Sequence, residues 1–133
     1  MPIHNESGRS AISQGLLRSA QKHANKNVQQ FRELIGPETP LVGIEPSAIL
    51  TFRDEYPALV DASLRDSAHE LANHTLMFDE FIERQIDRGR LHSSQFEPKQ
   101  QIIRLHGHCH QKALASLKPT VRMLQLPAGH RVR

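Results

Sequence analysis

Two short apolar runs, at 41–44 and 101–105, each lead through a turn of chemically active residues into a helical pattern. An apolar run of this length, bounded by turn residues, is typical of a buried strand. Parallel strands need a long connection, which is usually helical. A strand, turn and helix that occur twice, with helices between them, predict an α/β fold in which helices flank a small parallel sheet.

Helices are predicted where apolar residues recur at spacings of three and four, and where glycine or proline ends the pattern. Ser47 is predicted to cap the second helix, since a side-chain oxygen there accepts a backbone hydrogen bond. Asp79 and the other charges of the third helix are predicted to face solvent. A chain of 133 residues suits one core, so 1–133 is predicted to be a single domain. The predicted helices cover 13–35, 48–55, 64–88, 111–117 and 120–125.

Composition argues against nucleic-acid binding and against a membrane span. The net charge is +3, but the basic residues are scattered, and there is no Trp, one Tyr and five Phe to stack on bases. No apolar run approaches the ~18–20 residues that cross a bilayer. Residues 1–7 lack the basic and apolar regions of a signal peptide, and a single cysteine cannot form an internal disulfide. We therefore expect a cytoplasmic protein, with attachment to a membrane surface left open.

The second turn concentrates metal-binding side chains. His106, His108, Cys109 and His110 place three imidazoles and one thiol within five residues. Imidazole and thiolate suit zinc, iron or copper. Three functions fit this pattern: a metal ligand set, a reactive thiol, or one ligand of a cluster. The structural alternative is a buried cysteine beside histidines that hydrogen-bond a turn.

A compact metal site is not the preferred interpretation of this turn. Side chains of consecutive residues rarely point at one ion, so we expect that His108, Cys109 and His110 do not all ligate together. Closed zinc sites draw ligand pairs from two segments, and the sequence has no second pair. Adventitious zinc or nickel at the histidines stays a possibility.

The first turn carries Glu45 and Ser47, directly after the run at 41–44. Ligands of open parallel sheets usually bind at the carboxyl ends of the strands. We therefore expect the two turns to form opposite walls of one crevice. Glu45 there has the chemistry of a general acid or base, although capping the turn or pairing with Arg53 is favoured.

Three segments together resemble one family. They are GRSAISQGLL at 8–17, GIEPSAILTFRDEYP at 43–57 and LHGHCHQKAL at 105–114. They are similar, in the same order, to signatures of the cysteine-rich iron–sulfur domain of FAD-linked oxidases of the D-lactate dehydrogenase and glycolate oxidase type. This Cys-Cys-Gly (CCG) domain is shared with heterodisulfide reductases. The resemblance covers nearly the whole chain.

The resemblance implies an electron-transferring domain that works beside an FAD domain or subunit oxidising a 2-hydroxy acid. Cys109 matches a cluster-ligand cysteine and is the single candidate for a metal ligand. His106, His108 and His110 would surround the cluster, and Glu45 and Ser47 would form the opposite wall. The parent protein would contain FAD and an iron–sulfur cluster.

The sequence departs from the family where the family has further cysteines. Ala48 stands where many members have cysteine, and Glu6-Ser7 stand where many have a cysteine pair. Common clusters need about four cysteine ligands, and this chain has one. We therefore expect a fragment of an incomplete CCG-type domain that binds no cofactor and has no enzymatic activity alone.

Two further expectations remain open. The alternative function is a non-redox binding or structural module that keeps the fold without a cluster. A sheet that lacks part of its domain leaves an edge strand unpaired, so a homodimer is also expected. The hydroxy acid and the electron acceptor are not indicated by the sequence.

Overall fold

The computed structural model describes residues 6–133. Residues 1–5, which contribute to the prediction of a chain without a leader, lie outside the described residues. Among the described residues, no helix is both long and apolar enough to cross a membrane. The elements in chain order are α1 (Arg9–Ser13), α2 (Leu17–Phe31), β1 (Leu41–Gly43), α3 (Pro46–Asp54), α4 (Tyr56–Leu59), α5 (Arg65–Asn73), β2 (Thr75–Met77), α6 (Phe78–Asp87), β3 (Gln101–Ile103), α7 (Cys109–Leu114), α8 (Lys118–Leu124) and β4 (His130–Val132).

The predicted α/β class is confirmed, and the strands are parallel. β1 pairs with β2, with Leu41 opposite Thr75. β3 pairs with β4, with Gln101 opposite His130. The described residues thus form two separate two-stranded sheets, where the sequence predicted one. The reason is that β1 and β3 each pair with a strand that sequence patterns did not reveal.

The chain divides into two compact units, one ending at Met77 and the other formed by Phe78–Arg133. We call them the first and second units. Each contains one of the two sheets. The prediction of a single domain over 1–133 stays a prediction.

The core of the first unit forms because α2 and α3 each bury one face. Ala20, Ala24 and Val28 recur every fourth residue of α2 and are fully buried, as the helical period requires. In α3, Leu50 and Phe52 are buried. This helix lies between β1 and β2 in the chain and packs against both strands.

The first predicted helix, over 13–35, is wrong at its start. α1 ends at Ser13, and Gly15 adopts a φ of +74°. That left-handed conformation is readily accessible to glycine and breaks the helix. α2 therefore begins only at Leu17 and ends at Phe31.

The long helix predicted over 64–88 is also wrong. It is interrupted by β2, in which Thr75, Leu76 and Met77 are all buried. A strand buried on both faces has no alternation to distinguish it from a helical stripe. The spacing of Leu71, Leu76 and Phe78 therefore resembled that of one continuous helix, whereas the chain forms two helices separated by β2.

The second unit has a different kind of interior. α8 packs against α6 and β4, and Arg122 of α8 pairs with Glu83 at 3.3 Å and Asp87 at 2.6 Å. Within 78–133 the buried residues are Asp79, Gly107, Gln111 and Pro119, and the other apolar side chains are half-buried or exposed. The interior of this unit therefore contains a buried polar network beside apolar side chains that are only partly covered.

Candidate metal-binding turn

The segment 106–110 lies between β3 and the start of α7. His106, His108 and Cys109 are exposed, and His110 is half-buried. Cys109 forms no disulfide. The structural alternative of a buried apolar cysteine is therefore wrong, and the thiol is accessible to a ligand or reagent.

Three of these side chains lie together. One ligand atom from each of His108, Cys109 and His110 lies within 4.8 Å of the others. The expectation that consecutive side chains point apart is corrected here. His108, the N-cap of α7, has an extended backbone, and its ring folds back to accept from the His110 N–H, which brings the two imidazole rings to a centroid distance of 6.1 Å. His106 is not part of this group.

His108 also caps the turn. Its Nδ1 accepts a hydrogen bond from the backbone N–H of His110 at 3.3 Å. This agrees with the expectation that a histidine here hydrogen-bonds the turn. A neutral ring that accepts at Nδ1 carries its proton on Nε2, so this bond also selects a tautomer.

Close packing fixes one flank of the turn. Gly107 is buried, and a Cβ at this position would lie 2.5 Å from Cδ1 of Leu117. A side chain here would overlap that of Leu117. The glycine of the His-Gly-His sequence therefore permits this close approach, and a larger residue would require the Leu117 side chain to move.

A buried hydrogen-bond network fixes the other flank. The Nε2 amide group of Gln111 donates to Oδ2 of Asp79 at 2.8 Å, and the hydroxyl of Thr120 also donates to that oxygen. Oδ1 of Asp79 accepts from the backbone N–H of Glu80 at 2.9 Å. Gln111 thus connects the start of α7 to α6 and α8.

Sequence analysis missed this network because Asp79 was predicted to face solvent. Its exposed fraction is 7%. The buried carboxylate accepts hydrogen bonds from an amide, a hydroxyl and a backbone N–H. No signal in the sequence distinguishes Asp79 from the other acidic residues of α6.

Glu45 and Ser47 have structural roles at the start of α3. The Glu45 carboxylate accepts from the backbone N–H groups of Ser47 at 3.0 Å and Ala48 at 2.6 Å. The hydroxyl of Ser47 also donates to it, at 2.8 Å. Glu45 is therefore the N-cap, as the favoured interpretation held, and the prediction that Ser47 is the cap is wrong.

The topology removes the reason for expecting a crevice between the two turns. Glu45 and Ser47 follow β1, whereas His106 and Cys109 follow β3. These strands belong to different sheets and different units. They therefore do not share a sheet edge, and the expected opposition of the two turns does not follow from the topology.

Other residues of the resembling segments stabilise the first unit. The Arg9 guanidinium forms an ion pair with the carboxylate of Glu55. The phenol of Tyr56 donates to the carbonyl oxygen of Ser7 at 2.9 Å and accepts from the Asn27 amide at 2.8 Å. These contacts join α1 and its preceding loop to the junction of α3 and α4, so Arg9, Glu55 and Tyr56 of the resembling segments have a structural explanation.

An apolar groove of about 660 Å³ lies along β1 in the first unit. Val42, Ile44 and Leu34 are exposed there, and 86% of Ile44 is accessible. Phe31 and Phe52 form its base. Sequence analysis did not predict this surface, since 41–44 was expected to be a buried strand.

Comparison of the chain with protein-family models, curated proteins and solved structures finds no match. The resemblance to a CCG domain therefore rests on the sequence segments alone. It stays a prediction.

Proposed function

We propose that this chain is part of the iron–sulfur, electron-transferring domain of an FAD-linked 2-hydroxy-acid oxidoreductase of the D-lactate or glycolate type. The observation that carries the proposal is the placement of Cys109. It is the one cysteine of the chain, and it is exposed at a turn whose two flanks are anchored by Gly107 and Gln111. A cluster ligand needs an accessible thiolate on a rigid backbone.

The residues present do not by themselves fit a cluster. Common clusters take about four thiolate ligands, and this chain supplies one, with histidines beside it. Other segments of the parent domain would have to supply the remaining thiolates. We therefore propose no electron-transfer step for the chain alone.

The burial pattern supports the idea that further chain completes this domain. Pro119 is the one buried apolar side chain of 78–133, and the others are half-buried or exposed. Ile44, directly after β1, and Ile102, on β3, are 86% and 58% exposed. Two-stranded sheets are seldom stable without further strands or a covering layer. An FAD-binding domain or subunit is the proposed partner, in the cytoplasm.

The test is a longer protein, extended at both ends of this sequence and reconstituted anaerobically with iron and sulfide. We expect cluster absorbance in the visible range and a paramagnetic signal after reduction. Cys109→Ser should diminish both, while His92→Gln, outside the turn, should not. A folded longer protein without cluster absorbance contradicts the proposal.

The second candidate is a non-redox module that keeps the fold without a cluster. It is favoured by Ala48 and by Glu6-Ser7, which stand where the resembling family has cysteines. It predicts that Cys109→Ser leaves hydroxy-acid oxidation and electron transfer by the parent protein unchanged. A fall in electron transfer, with flavin reduction intact, rejects it.

A further inference from the structure

We propose that His108, Cys109 and His110 bind a single zinc-class metal ion. The inference goes beyond the proposed function, because it needs only residues that this chain supplies. A thiolate and two imidazoles form a ligand set that zinc accepts. Their ligand atoms already lie within 4.8 Å of one another.

The remaining rearrangement is small. Zinc bonds of about 2.0–2.3 Å at tetrahedral angles place ligand atoms about 3.5 Å apart. Each pair of these atoms must therefore approach by up to about 1.3 Å. His108 and Cys109 are exposed and His110 is half-buried, so side-chain rotation suffices and the backbone of the turn stays in place.

One existing interaction competes with the metal. His108 Nδ1 accepts from the His110 backbone N–H at 3.3 Å, which is long for such a bond. Binding through Nδ1 replaces this hydrogen bond. Binding through Nε2 requires the other tautomer, whose Nδ1 is a donor and opposes the His110 N–H. Both routes exchange one weak bond for a metal bond.

The backbone of the turn is held in place by contacts on both of its flanks. Gly107 is in close contact with the side chain of Leu117, and the amide of Gln111 donates a hydrogen bond to Asp79. A ligand set on a backbone fixed at both flanks loses less entropy on binding. Among the described residues the group offers three ligands, so water completes a tetrahedral ion and the site stays open to an exogenous donor.

The experiment uses the untagged 133-residue chain, reduced and free of metal. Cobalt is added without iron or sulfide, and zinc is then added to displace it. We expect saturation at one equivalent, with a thiolate-to-cobalt charge-transfer band that zinc abolishes. Cys109→Ser should remove the band, and Cys109→Ser and His110→Asn should each weaken zinc binding by at least about tenfold, measured against a chromophoric chelator.

His106→Asn is the matched control, since His106 lies in the same turn but outside the group. It should leave zinc affinity within about twofold of the unchanged chain. Equal losses from His106→Asn and His110→Asn, or undiminished binding by Cys109→Ser, would overturn the proposal. Failure to bind zinc against the chelator would do the same. Circular dichroism verifies that each variant is folded, and Cys109→Ala repeats the test without a hydroxyl. Because no iron or sulfide is present, these outcomes are separate from those of the cluster test.

Discussion

Tyr56 shows how one side chain organises the start of the first unit. Its ring is fully buried and lies 4.4 Å, centroid to centroid, from that of Phe52. Its hydroxyl bonds to Asn27 in α2 and to the backbone at Ser7. The side chain therefore buries an apolar ring while its hydroxyl group both donates and accepts a hydrogen bond.

Replacing Tyr56 by phenylalanine tests the contribution of its hydroxyl group alone. Tyr56→Phe keeps the ring against Phe52 but leaves the carbonyl oxygen of Ser7 without this donor. We expect the free energy of unfolding to fall by about 1–2 kcal/mol, measured by urea denaturation followed by circular dichroism. A double-mutant cycle with Asn27→Ala should show coupling between the two side chains. Unchanged stability would mean that water replaces the hydroxyl at no cost.

The same phenol predicts a dependence on alkaline pH. Burial raises the pKa of Tyr56 above its ordinary value of 10.0, and the hydrogen bond from Asn27 offsets part of this rise. The folded chain thus holds the proton more tightly than the unfolded chain. The contribution of Tyr56 to the free energy of unfolding is therefore fully present below about pH 10. Above that pH it decreases, by at most about 1.4 kcal/mol per pH unit.

This alkaline loss is measurable because Tyr56 is the chain's one tyrosine and there is no tryptophan. Tyrosinate absorbance should develop only as the protein unfolds. Tyr56→Phe should show a smaller loss of stability over the same pH range. Tyrosinate formation near pH 10 in a chain that stays folded would contradict the prediction.

At the level of the elements, sequence patterns predicted helices better than strands. Helices α3 and α8 followed from the apolar spacing and the neighbouring prolines. β2 was missed because its three buried residues continue the apolar pattern of the helices on either side, and no apolar run marks β4 in the sequence. The turn at 106–110 was identified from residue types, but its geometry depends on Asp79, thirty residues earlier, whose burial the local pattern does not indicate.

The connection between α6 and α7 gives a prediction at this scale. Asp79→Ala removes one acceptor of the Gln111 amide and the carboxylate to which the Thr120 hydroxyl donates, although Gln111 keeps contacts to Thr120 and to a backbone carbonyl oxygen. We expect destabilisation of about 1–3 kcal/mol and faster amide hydrogen exchange in α7. Asp87→Ala in the same helix is the control, because the ion pair of Asp87 with Arg122 is exposed and its loss should cost at most about 1 kcal/mol. Similar exchange in α7 for both variants would contradict the prediction.

For the whole molecule, the distribution of apolar burial separates the two units. Apart from Pro119, the buried apolar side chains of the described residues all lie at or before Met77. Burial of apolar surface is the main favourable term in folding, so local stability should follow this division. The second unit depends on the Asp79–Gln111 network and on exposed ion pairs, which contribute little in water.

Native-state hydrogen exchange of the 133-residue chain tests this division. We expect the slowest amides in α2 and α3, and exchange at least about tenfold faster throughout α6, α7 and α8. Adding the neighbouring sequence of the proposed parent protein should slow exchange in the second unit much more than in the first, because the added chain would cover its half-exposed apolar side chains. Equal protection of the two units in the 133-residue chain would show that 78–133 needs no further chain, and would remove this support for the proposed parent domain.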